Sequence, residues 1–530
     1  MAPPDPQGDR PASSPRPSPS EQALPRTLVA ATVVAALLRL FRLGHQSLWI
    51  DEQFTLVSAG LPGPFVLHDL LDNVHGPLHA VVVAWFAAWG GTSEGVLRLP
   101  SALAGIAMVP AMAWLASRWL GRATAGPAAW LTAASPFLVW YSQECRNYAC
   151  LMLATVLATA ALLELRERVR PAHLAAYAAA AVAGVLSNFA FLLIAPLHLR
   201  LWLAAGPARA VRLKWLAGAI VLTALVALPW LPAVVGTWDW SRLQPGRAVP
   251  VAEQGLRGAH TFHPAAIPFA WHAFTMGYSG GPSLADLRSG PEAAAREHLP
   301  ELLLALLVFA PLGALGLRAV ARRRRLADTL LWLVAPTLVV SYFAANNFKV
   351  FHPRYVAVSM PCLLLVVAAA FADLGTRWRR VAVAAVALLW AGSLARATFE
   401  PEYGREDYRS ALASVRAGFA PGERVIAVGA PEPVEWYGRG LPVQRFWLGY
   451  AGSEARCARA WRDSVGTVPP GMWVVASRTE DLDAAGNLAH WLDRATTSAE
   501  RSAFQGVRVW HLRTHGPFAD TTSGVTSRSR

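Results

Sequence analysis

Residues 27–53 read TLVAATVVAALLRLFRLGHQSLWIDEQ, an apolar run that leads directly into a polar segment ending with Asp51-Glu52-Gln53. Apolar runs of about 17–20 residues are long enough to cross a bilayer as helices. Such runs recur along the 530 residues, of which 54% are hydrophobic and 15% are charged. Composition therefore predicts an α-helical polytopic membrane protein, with the first acidic pair at a membrane surface.

The formal net charge of +14 could indicate a nucleic-acid-binding protein. However, the Lys and Arg residues form short clusters between apolar runs, where the positive-inside rule places them on the cytoplasmic side. We therefore attribute the charge to membrane topology and expect no nucleic-acid partner. Of the four cysteines, only Cys457 lies in the polar C-terminal region, so no disulfide can form within that region.

The apolar runs predict about eleven membrane spans. They cover residues 26–43, 98–117, 123–140, 149–163, 172–187, 189–205, 215–235, 302–317, 329–345, 355–372 and 381–395. Residues 1–25 are rich in Pro and Ser and are predicted to form a disordered cytoplasmic tail. They do not have the pattern of a signal peptide.

Basic clusters at every second junction between runs predict the orientation. They comprise Arg118 with Arg122 and the segments 166–170, 209–214, 322–325 and 377–380. If all of them face the cytoplasm, the loops 44–97 and 236–298 and the C-terminal region lie outside the plasma (inner) membrane. The further apolar run 76–89 is then an interfacial or re-entrant helix, because a span there would break the alternation.

The C-terminal region, residues 398–530, is predicted to be a small extracytoplasmic α/β domain. Helical patterns cover 406–419, 455–464 and 482–492, and strand patterns cover 424–428, 472–477 and 507–512. It contains neither a Gly-rich phosphate fingerprint nor a metal-ligand cluster. We expect an accessory or structural domain, with acceptor binding as the alternative.

Four polar clusters are predicted to meet at the outer face. They are residues 45–52 with Asp69, Asp72, His75 and His79; residues 141–148; the loop with Trp238, Trp240, His260, His263, His272 and 278–282; and residues 346–355. Carboxylates, cations and aromatic rings at one membrane face suggest a site for a charged, partly sugar-like substrate on a lipid anchor. The two tryptophans could stack on sugar rings or belong to an interfacial belt.

Each cluster also has a structural interpretation. The alternatives are solvated or helix-capping carboxylates (Asp51, Glu52), a pair at the membrane boundary (Glu144, Arg146) and interfacial cations (Lys349, Arg354). His75 and His79 are spaced for a metal site on one helical face. Gly76-Pro77 between them argues against it, because the helix then begins after His75.

Six motifs follow one another between residues 37 and 372. They are Leu48-Trp-Ile-Asp-Glu-Gln53, His75-Gly-Pro-Leu78, Arg98-Leu-Pro-Ser101, Ser135-Pro-Phe137, Tyr141-Ser-Gln-Glu-Cys-Arg-Asn-Tyr148 and His352-Pro-Arg-Tyr355. In order and spacing they resemble the C-type (GT-C) membrane glycosyltransferases, specifically the bacterial relatives of protein O-mannosyltransferases and lipid A aminoarabinose transferases that use polyprenyl-phosphate sugars. The chain departs from the pattern at His75-Gly76-Pro77, where relatives often have His-Pro-Pro. The C-terminal domain lies outside the resemblance.

The resemblance implies a glycosyltransferase that moves a sugar from a polyprenyl-phosphate donor to an extracytoplasmic acceptor. It implies Asp51 as the catalytic base with Glu52 as its neighbour, and Arg146 and Arg354 near the donor phosphate. The further candidates are Lys349 for the phosphate and His75, Glu144, Tyr148 and Tyr355 for substrate binding. No cofactor is required, although a divalent metal occurs in the wider superfamily.

The chemistry needs a base to activate a hydroxyl and cations to neutralise a leaving phosphate. One base without a second carboxylate nucleophile favours inversion at C1, unlike a retaining glycosidase. The sugar stays open between hexose and pentose, and the acceptor between a cell-envelope glycan, a lipid and a protein.

The competing functions are a lipid-linked glycan ligase that uses His260, His263 and His272, a transporter without glycosyl-phosphate chemistry, and a membrane scaffold. A transporter should carry ionisable residues near the middle of several spans, whereas here they lie at the ends. This distribution favours an enzyme.

Overall fold

The computed structural model of the protein describes residues 19–61, 63, 76–204, 209–243, 262–346, 348–448, 453–465, 471–479, 483, 486–495 and 499–512. Seven of its helices are long and apolar enough to cross a membrane. They are Glu94–Trp119, Tyr148–Glu167, Arg209–Thr237, Leu299–Arg322, Leu326–Ala345, Pro353–Asp373 and Thr376–Phe399. The predicted class, a helical polytopic membrane protein with a small C-terminal α/β domain, is confirmed.

Of the remaining predicted spans, 26–43 falls on the 22-residue helix Pro19–Leu40 and the others fall on shorter or divided helices. The runs 172–187 and 189–205 form the apolar helices Pro171–Ser187 and Phe189–Leu203. The run 76–89 forms the 13-residue helix Leu78–Gly90, which is about 20 Å long and shorter than the roughly 30 Å hydrocarbon core. The number of eleven spans stays a prediction.

The first helix begins at Pro19 and ends at Leu40, so it includes the last residues of the predicted tail, 1–25, whose disorder stays a prediction. Proline is favoured at the first position of a helix because its missing N–H has no intrahelical partner there. Residues 1–18 lie outside the described residues.

The predicted span 123–140 is divided into the helices Ala125–Ala134 and Pro136–Ser142. Pro136 has no N–H, so the carbonyl of Thr132 lacks its usual helical donor. Arg39, fully buried in the first helix, donates to that carbonyl at 2.9 Å and to the carbonyl of Ala133 at 2.8 Å. These hydrogen bonds hold the helix Pro19–Leu40 against the segment that leads into residues 143–147.

The helices differ in how much of their surface the protein covers. In an apolar 18-residue stretch of each helix, 83% of the residues are buried in Tyr148–Glu167 and in Pro353–Asp373, against 6% in Arg209–Thr237 and 17% in Thr376–Phe399. A side chain at Gly316 would overlap the carbonyl of Val366, so glycine allows Leu299–Arg322 to lie directly against the helix Met360–Asp373. The two mostly buried spans form the centre of the bundle, and their ends carry the polar clusters.

The C-terminal domain has a five-stranded sheet. Its strands are β1 (Arg424–Val428), β2 (Val443–Phe446), β3 (Met472–Ser477), β4 (Ala499–Phe504) and β5 (Val507–Leu512), in the order β2-β1-β3-β5-β4. β1 pairs in parallel with β2 and β3, and β5 pairs antiparallel with β3 and β4. The helices of this domain are Tyr408–Gly418, Pro431–Tyr437, Glu454–Ser464 and Asn487–Ala495. The three predicted strands are confirmed, and the edge strands β2 and β4 were missed.

This domain docks on the loop immediately before Asp51. Glu94 forms a 2.6 Å ion pair with Arg409 and accepts a 2.9 Å hydrogen bond from the Tyr437 hydroxyl. That hydroxyl in turn accepts the N–H of Leu48 at 2.7 Å. The C-terminal domain therefore packs against the loop that leads into Asp51.

Other helices complete the chain between these regions. They are Ile50–Ser58, Ala266–Met276, Leu284–Ser289 and Pro291–Glu297, while Ala195–Leu203 and Leu231–Thr237 are the C-terminal parts of Phe189–Leu203 and Arg209–Thr237.

Candidate active site

The acidic pair lies in the first turn of the short helix Ile50–Ser58. Carboxylates are favourable there because the exposed N–H groups and the helix dipole make this end positive. Successive helical positions point about 100° apart. Asp51 and Glu52 consequently reach different surroundings, and their side chains are 14% and 0% exposed.

Glu52 is a buried anchor for three segments of the chain. Its carboxylate accepts two hydrogen bonds from Arg98, at 2.8 and 2.7 Å, and one from the N–H of Cys145 at 2.7 Å. The N–H of Trp49 adds a fourth at 3.3 Å. Arg98 also donates to loop carbonyls, including that of Gln46 at 2.8 Å. This arrangement fits a residue that positions the loop, and a catalytic role for Glu52 beside Asp51 stays a prediction.

Asp51 meets the predicted phosphate-binding arginines. Its carboxylate forms an ion pair with Arg354, which lies 303 residues later at the start of the 3₁₀ helix Pro353–Ser359. Arg146 donates to the backbone carbonyl of Asp51 at 2.8 Å and to the hydroxyl of Thr55 at 3.2 Å. The structure thus brings together residues from three separate motifs.

The arginines decide the ionisation of Asp51. Burial raises the pKa of this carboxyl, but the positive charges of Arg354, Arg146 and Arg478 outweigh burial and lower the pKa to about 2. Without substrate, Asp51 is therefore a charged carboxylate whose partner is an arginine. A carboxylate with so low a pKa is a weak base while it is paired with the arginine.

Aromatic side chains surround the cations. The ammonium of Lys349 lies 4.2 Å from the ring centre of Tyr355 and 4.8 Å from that of Trp238. The guanidinium of Arg354 donates to the Tyr355 hydroxyl at 3.3 Å, and Arg146 lies 6.0 Å from the ring of Tyr148. The predicted residues Lys349, Tyr148 and Tyr355 thus lie around the two arginines.

Glu144 is also brought near this cluster, but it is only 1% exposed. Among the described residues, neither carboxylate oxygen has a hydrogen-bond partner, and the nearest cation is Arg405 at 3.9 Å. Burial raises the pKa of Glu144 to about 7, with Arg405 opposing and the neighbouring carboxylates Glu52 and Asp51 adding to the rise.

The structure does not place every predicted residue. His75, Asp69, Asp72 and His260 lie outside the described residues. His79 is buried and bonded to Ser101 at 3.0 Å. Within the described part of the chain, no group of three or more His, Cys, Asp or Glu side chains could hold a metal ion.

Arg478 and Arg405 come from the C-terminal region and were missed by sequence reasoning. Arg478 follows β3 with φ +52°, lies 4.9 Å from the ring of Trp49 and pairs with Glu406 at 2.5 Å. Arg405 lies 5.0 Å from the ring of Trp140. The one available signal for Arg478 was its position at the carboxyl end of a parallel strand, where α/β domains place ligands.

A cavity of about 330 Å³ lies between the helical domain and the C-terminal domain. Its lining includes Trp49, two residues before Asp51. Its lining combines aromatic rings (Trp49, Trp140, Tyr278), arginines (Arg405, Arg478, Arg508) and carboxylates (Asp286, Glu402, Glu406). This size is at the lower end of the range for small-ligand pockets.

Neither a protein-family model nor a curated protein sequence matches the chain. Among solved structures, ArnT from Cupriavidus metallidurans in the apo state is similar at a TM-score of 0.57 and 14% identity, over 92% of this chain and 98% of that chain. ArnT bound to undecaprenyl phosphate gives 0.52 and 15%, over 91% and 97%.

The archaeal oligosaccharyltransferase AglB from Archaeoglobus fulgidus, in complex with an inhibitory peptide and a dolichol-phosphate, gives a TM-score of 0.53 and 14% identity, over 92% of this chain and 74% of that chain. At such identities the similarity concerns the fold. The predicted fold is confirmed: the chain has the GT-C fold of these membrane proteins.

Proposed function

We propose that the protein is an inverting glycosyltransferase that moves a sugar from a polyprenyl-phosphate donor to an extracytoplasmic acceptor. The observation that carries this proposal is the ion pair of Asp51 with Arg354, with Arg146 bonded to the same turn. A base beside two buried cations is what displacement of a phosphate from C1 of a sugar requires. The polyprenyl phosphates bound by ArnT and AglB support a donor of this class.

The proposed reaction is a single displacement. The acceptor hydroxyl oxygen attacks C1 of the sugar while Asp51 takes the hydroxyl proton. The bond between C1 and the phosphate oxygen breaks, and its electron pair stays on the phosphate. Arg354 and Arg146 stabilise the growing negative charge, and polyprenyl phosphate leaves as the second product.

Donor binding would also activate the base. The donor phosphate competes with Asp51 for Arg354, and this competition breaks the ion pair that lowers the pKa of Asp51 to about 2. A carboxylate that loses its arginine partner becomes a stronger base. Proton transfer to Asp51 is therefore favoured only when a donor is present, which limits unproductive chemistry in the empty site.

In this proposal Glu52 positions the loop. Its four hydrogen bonds and full burial leave no contact for a substrate. Lys349 lies between the rings of Trp238 and Tyr355 as a further phosphate partner, and Tyr148 and Tyr355 form the walls around the donor headgroup.

The acceptor is proposed to enter through the cavity beside Trp49. Aromatic faces and paired charged groups there suit a polar acceptor, and Arg478 extends from the C-terminal domain toward Asp51. The C-terminal domain would thus contribute to the site, beyond an accessory role. We place the site and this domain on the extracytoplasmic side of the plasma membrane, in agreement with the predicted topology.

The test is turnover by the full chain in lipid vesicles supplied with polyprenyl-phosphate hexoses and pentoses, together with mass spectrometry of envelope glycans from cells with and without the protein. In vesicles, we expect donor consumption and release of polyprenyl phosphate. In cells without the protein, we expect the envelope glycans to lack one substituent. We also propose that no cofactor is needed, so turnover should persist in EDTA. Unchanged glycans and unconsumed donors would contradict the proposal.

A further inference from the structure

The end of the helical bundle away from Asp51 contains a second, strongly basic cavity. The helix Tyr148–Glu167 begins beside Arg146, and its 20 residues place Arg166 about 30 Å from that end. A cavity of about 770 Å³ opens there between Arg166, Arg200, Arg324, Arg325 and Asp328. It is therefore separate from the candidate active site.

Positive charge in this cavity exceeds its negative charge. Asp328 pairs with Arg200 at 2.6 Å and with Arg325 at 3.4 Å, so both of its oxygens are engaged. Arg166 lies close enough to feel the charges of Arg325 and Asp328. Within the described residues, however, its Nε is buried without a hydrogen-bond partner.

A second guanidinium beside the cavity is also unsatisfied. Arg212 is completely buried and lies within electrostatic range of Arg166. One of its nitrogens donates to the carbonyl of Ala204 at 2.9 Å, whereas its Nε and Nη1 have no partner among the described residues. Buried donors on a charged group are costly when unpaired, which indicates that an anion completes this site.

Other basic residues at the same end do not share this property. Arg322 and Arg323 both pair with Asp373, at 2.5 and 2.6 Å. Arg118 pairs with Glu164 at 2.5 Å and with Glu167 at 3.1 Å. Their placement is explained by topology alone, whereas the cavity around Arg166 has an excess of cations that topology does not require.

The apolar part of the lining identifies the kind of anion. Leu199 and Leu203 line the same cavity and are 48% and 43% exposed on the outer surface of the helix Ala195–Leu203. A free inorganic anion gains nothing from these side chains, whereas a phospholipid places its acyl chains against them. Arginine matches the geometry of a phosphate by donating two parallel hydrogen bonds.

We propose that this cavity binds an anionic phospholipid of the adjacent leaflet, with the phosphate at Arg166 and Arg325 and an acyl chain along Leu199 and Leu203. The positive-inside rule makes this the cytoplasmic leaflet, and basic pockets between spans on that side suit anionic headgroups. The site does not depend on glycosyl transfer, and its occupancy would stabilise the bundle at the end opposite the active site.

Native mass spectrometry of the full chain in detergent, titrated with phosphatidylglycerol, phosphatidylcholine or inorganic phosphate, tests the proposal. We expect the wild type to bind phosphatidylglycerol with at least roughly tenfold preference over phosphatidylcholine, because both lipids carry the phosphate but the quaternary ammonium of phosphatidylcholine cancels its charge and is repelled by the surplus arginines. Millimolar inorganic phosphate should not displace the lipid.

Arg166→Gln should weaken phosphatidylglycerol binding about tenfold, whereas the matched change Arg118→Gln should not. If Arg166→Gln fails to fold, Arg324→Gln replaces it, because Arg324 lines the cavity from an exposed turn. Equal lipid binding by the cavity variant and by Arg118→Gln would overturn the proposal. Displacement by inorganic phosphate alone would identify a phosphate site in place of a lipid site.

Discussion

Replacing Glu52 with alanine should destabilise the fold far more than it changes the chemistry of the molecules that remain folded. The substitution leaves the guanidinium of Arg98, which is 1% exposed, without its carboxylate partner. It also leaves the N–H groups of Cys145 and Trp49 without their acceptor. Removal of one partner from a buried ion pair costs about 3–5 kcal/mol, a large part of the stability of a typical domain.

The glutamine variant refines this expectation. Glu52→Gln keeps the shape and one acceptor oxygen but loses the charge, so the expected cost is about 1.5–3 kcal/mol, the value of a hydrogen bond to a charged group. Asp51→Asn is the matched control, because Asp51 is the neighbouring carboxylate and is partly exposed. Because neighbouring arginines lower the pKa of Asp51 from 3.8 to about 2, loss of its charge should cost roughly 2 kcal/mol at neutral pH, less than the cost expected for Glu52→Ala.

Thermal unfolding of the purified protein in detergent, followed by tryptophan fluorescence, gives the stability order. We expect the unfolding temperature to be highest in the wild type, lower in Asp51→Asn and Glu52→Gln, and lowest in Glu52→Ala. Sugar transfer per folded molecule should be lost in Asp51→Asn and largely kept in Glu52→Gln. A Glu52→Ala protein as stable as the wild type but inactive would refute the positioning role and return Glu52 to the chemistry.

Three further predictions concern the surrounding residues. Arg354→Ala should raise the KM for the donor at least tenfold by removing a charged phosphate contact, with partial recovery in Arg354→Lys; a change in acceptor preference alone would contradict the phosphate assignment. Arg478→Ala should raise the KM for the acceptor while leaving far-UV circular dichroism unchanged, and an unchanged KM would return the C-terminal domain to a structural role. Because burial raises the pKa of Glu144 to about 7, its protonated form favours the folded state, so stability is full below the unfolded pKa and falls as the pH rises to about 7, by roughly 3 kcal/mol. Unfolding temperatures between pH 5 and 8 should show this decline in the wild type and lose it in Glu144→Gln; a decline that persists in the variant would show another group to be responsible.

Much of the helical architecture could be predicted because apolar length is a direct requirement of the bilayer. The division of the run 123–140 at Ser135-Pro136 was missed, although the proline was visible, because the run is apolar on both sides of the break. The strands β2 and β4 were missed because they lie at the sheet edges, where polar residues such as Glu500 and Arg501 interrupt the apolar pattern.

Some contacts of the candidate site could likewise be predicted from the sequence, and others could not. The meeting of Asp51 with Arg354 follows from the placement of basic clusters, which assigns both residues to one membrane face. The buried pair of Glu52 with Arg98 joins residues 46 apart, and no local pattern distinguishes it from a catalytic carboxylate. Arg478 belongs to a different domain, and its approach to Trp49 depends on how the two domains dock.

The most direct test of the proposed function is the transfer rate of Asp51→Asn in vesicles containing a donor that the wild type consumes. Loss of a general base should lower the rate by at least about 10²-fold. Donor affinity should be equal to or greater than that of the wild type, because Arg354 no longer has a competing carboxylate. A variant that transfers sugar at the wild-type rate would contradict the assignment of Asp51 as the base and, with it, the proposed function.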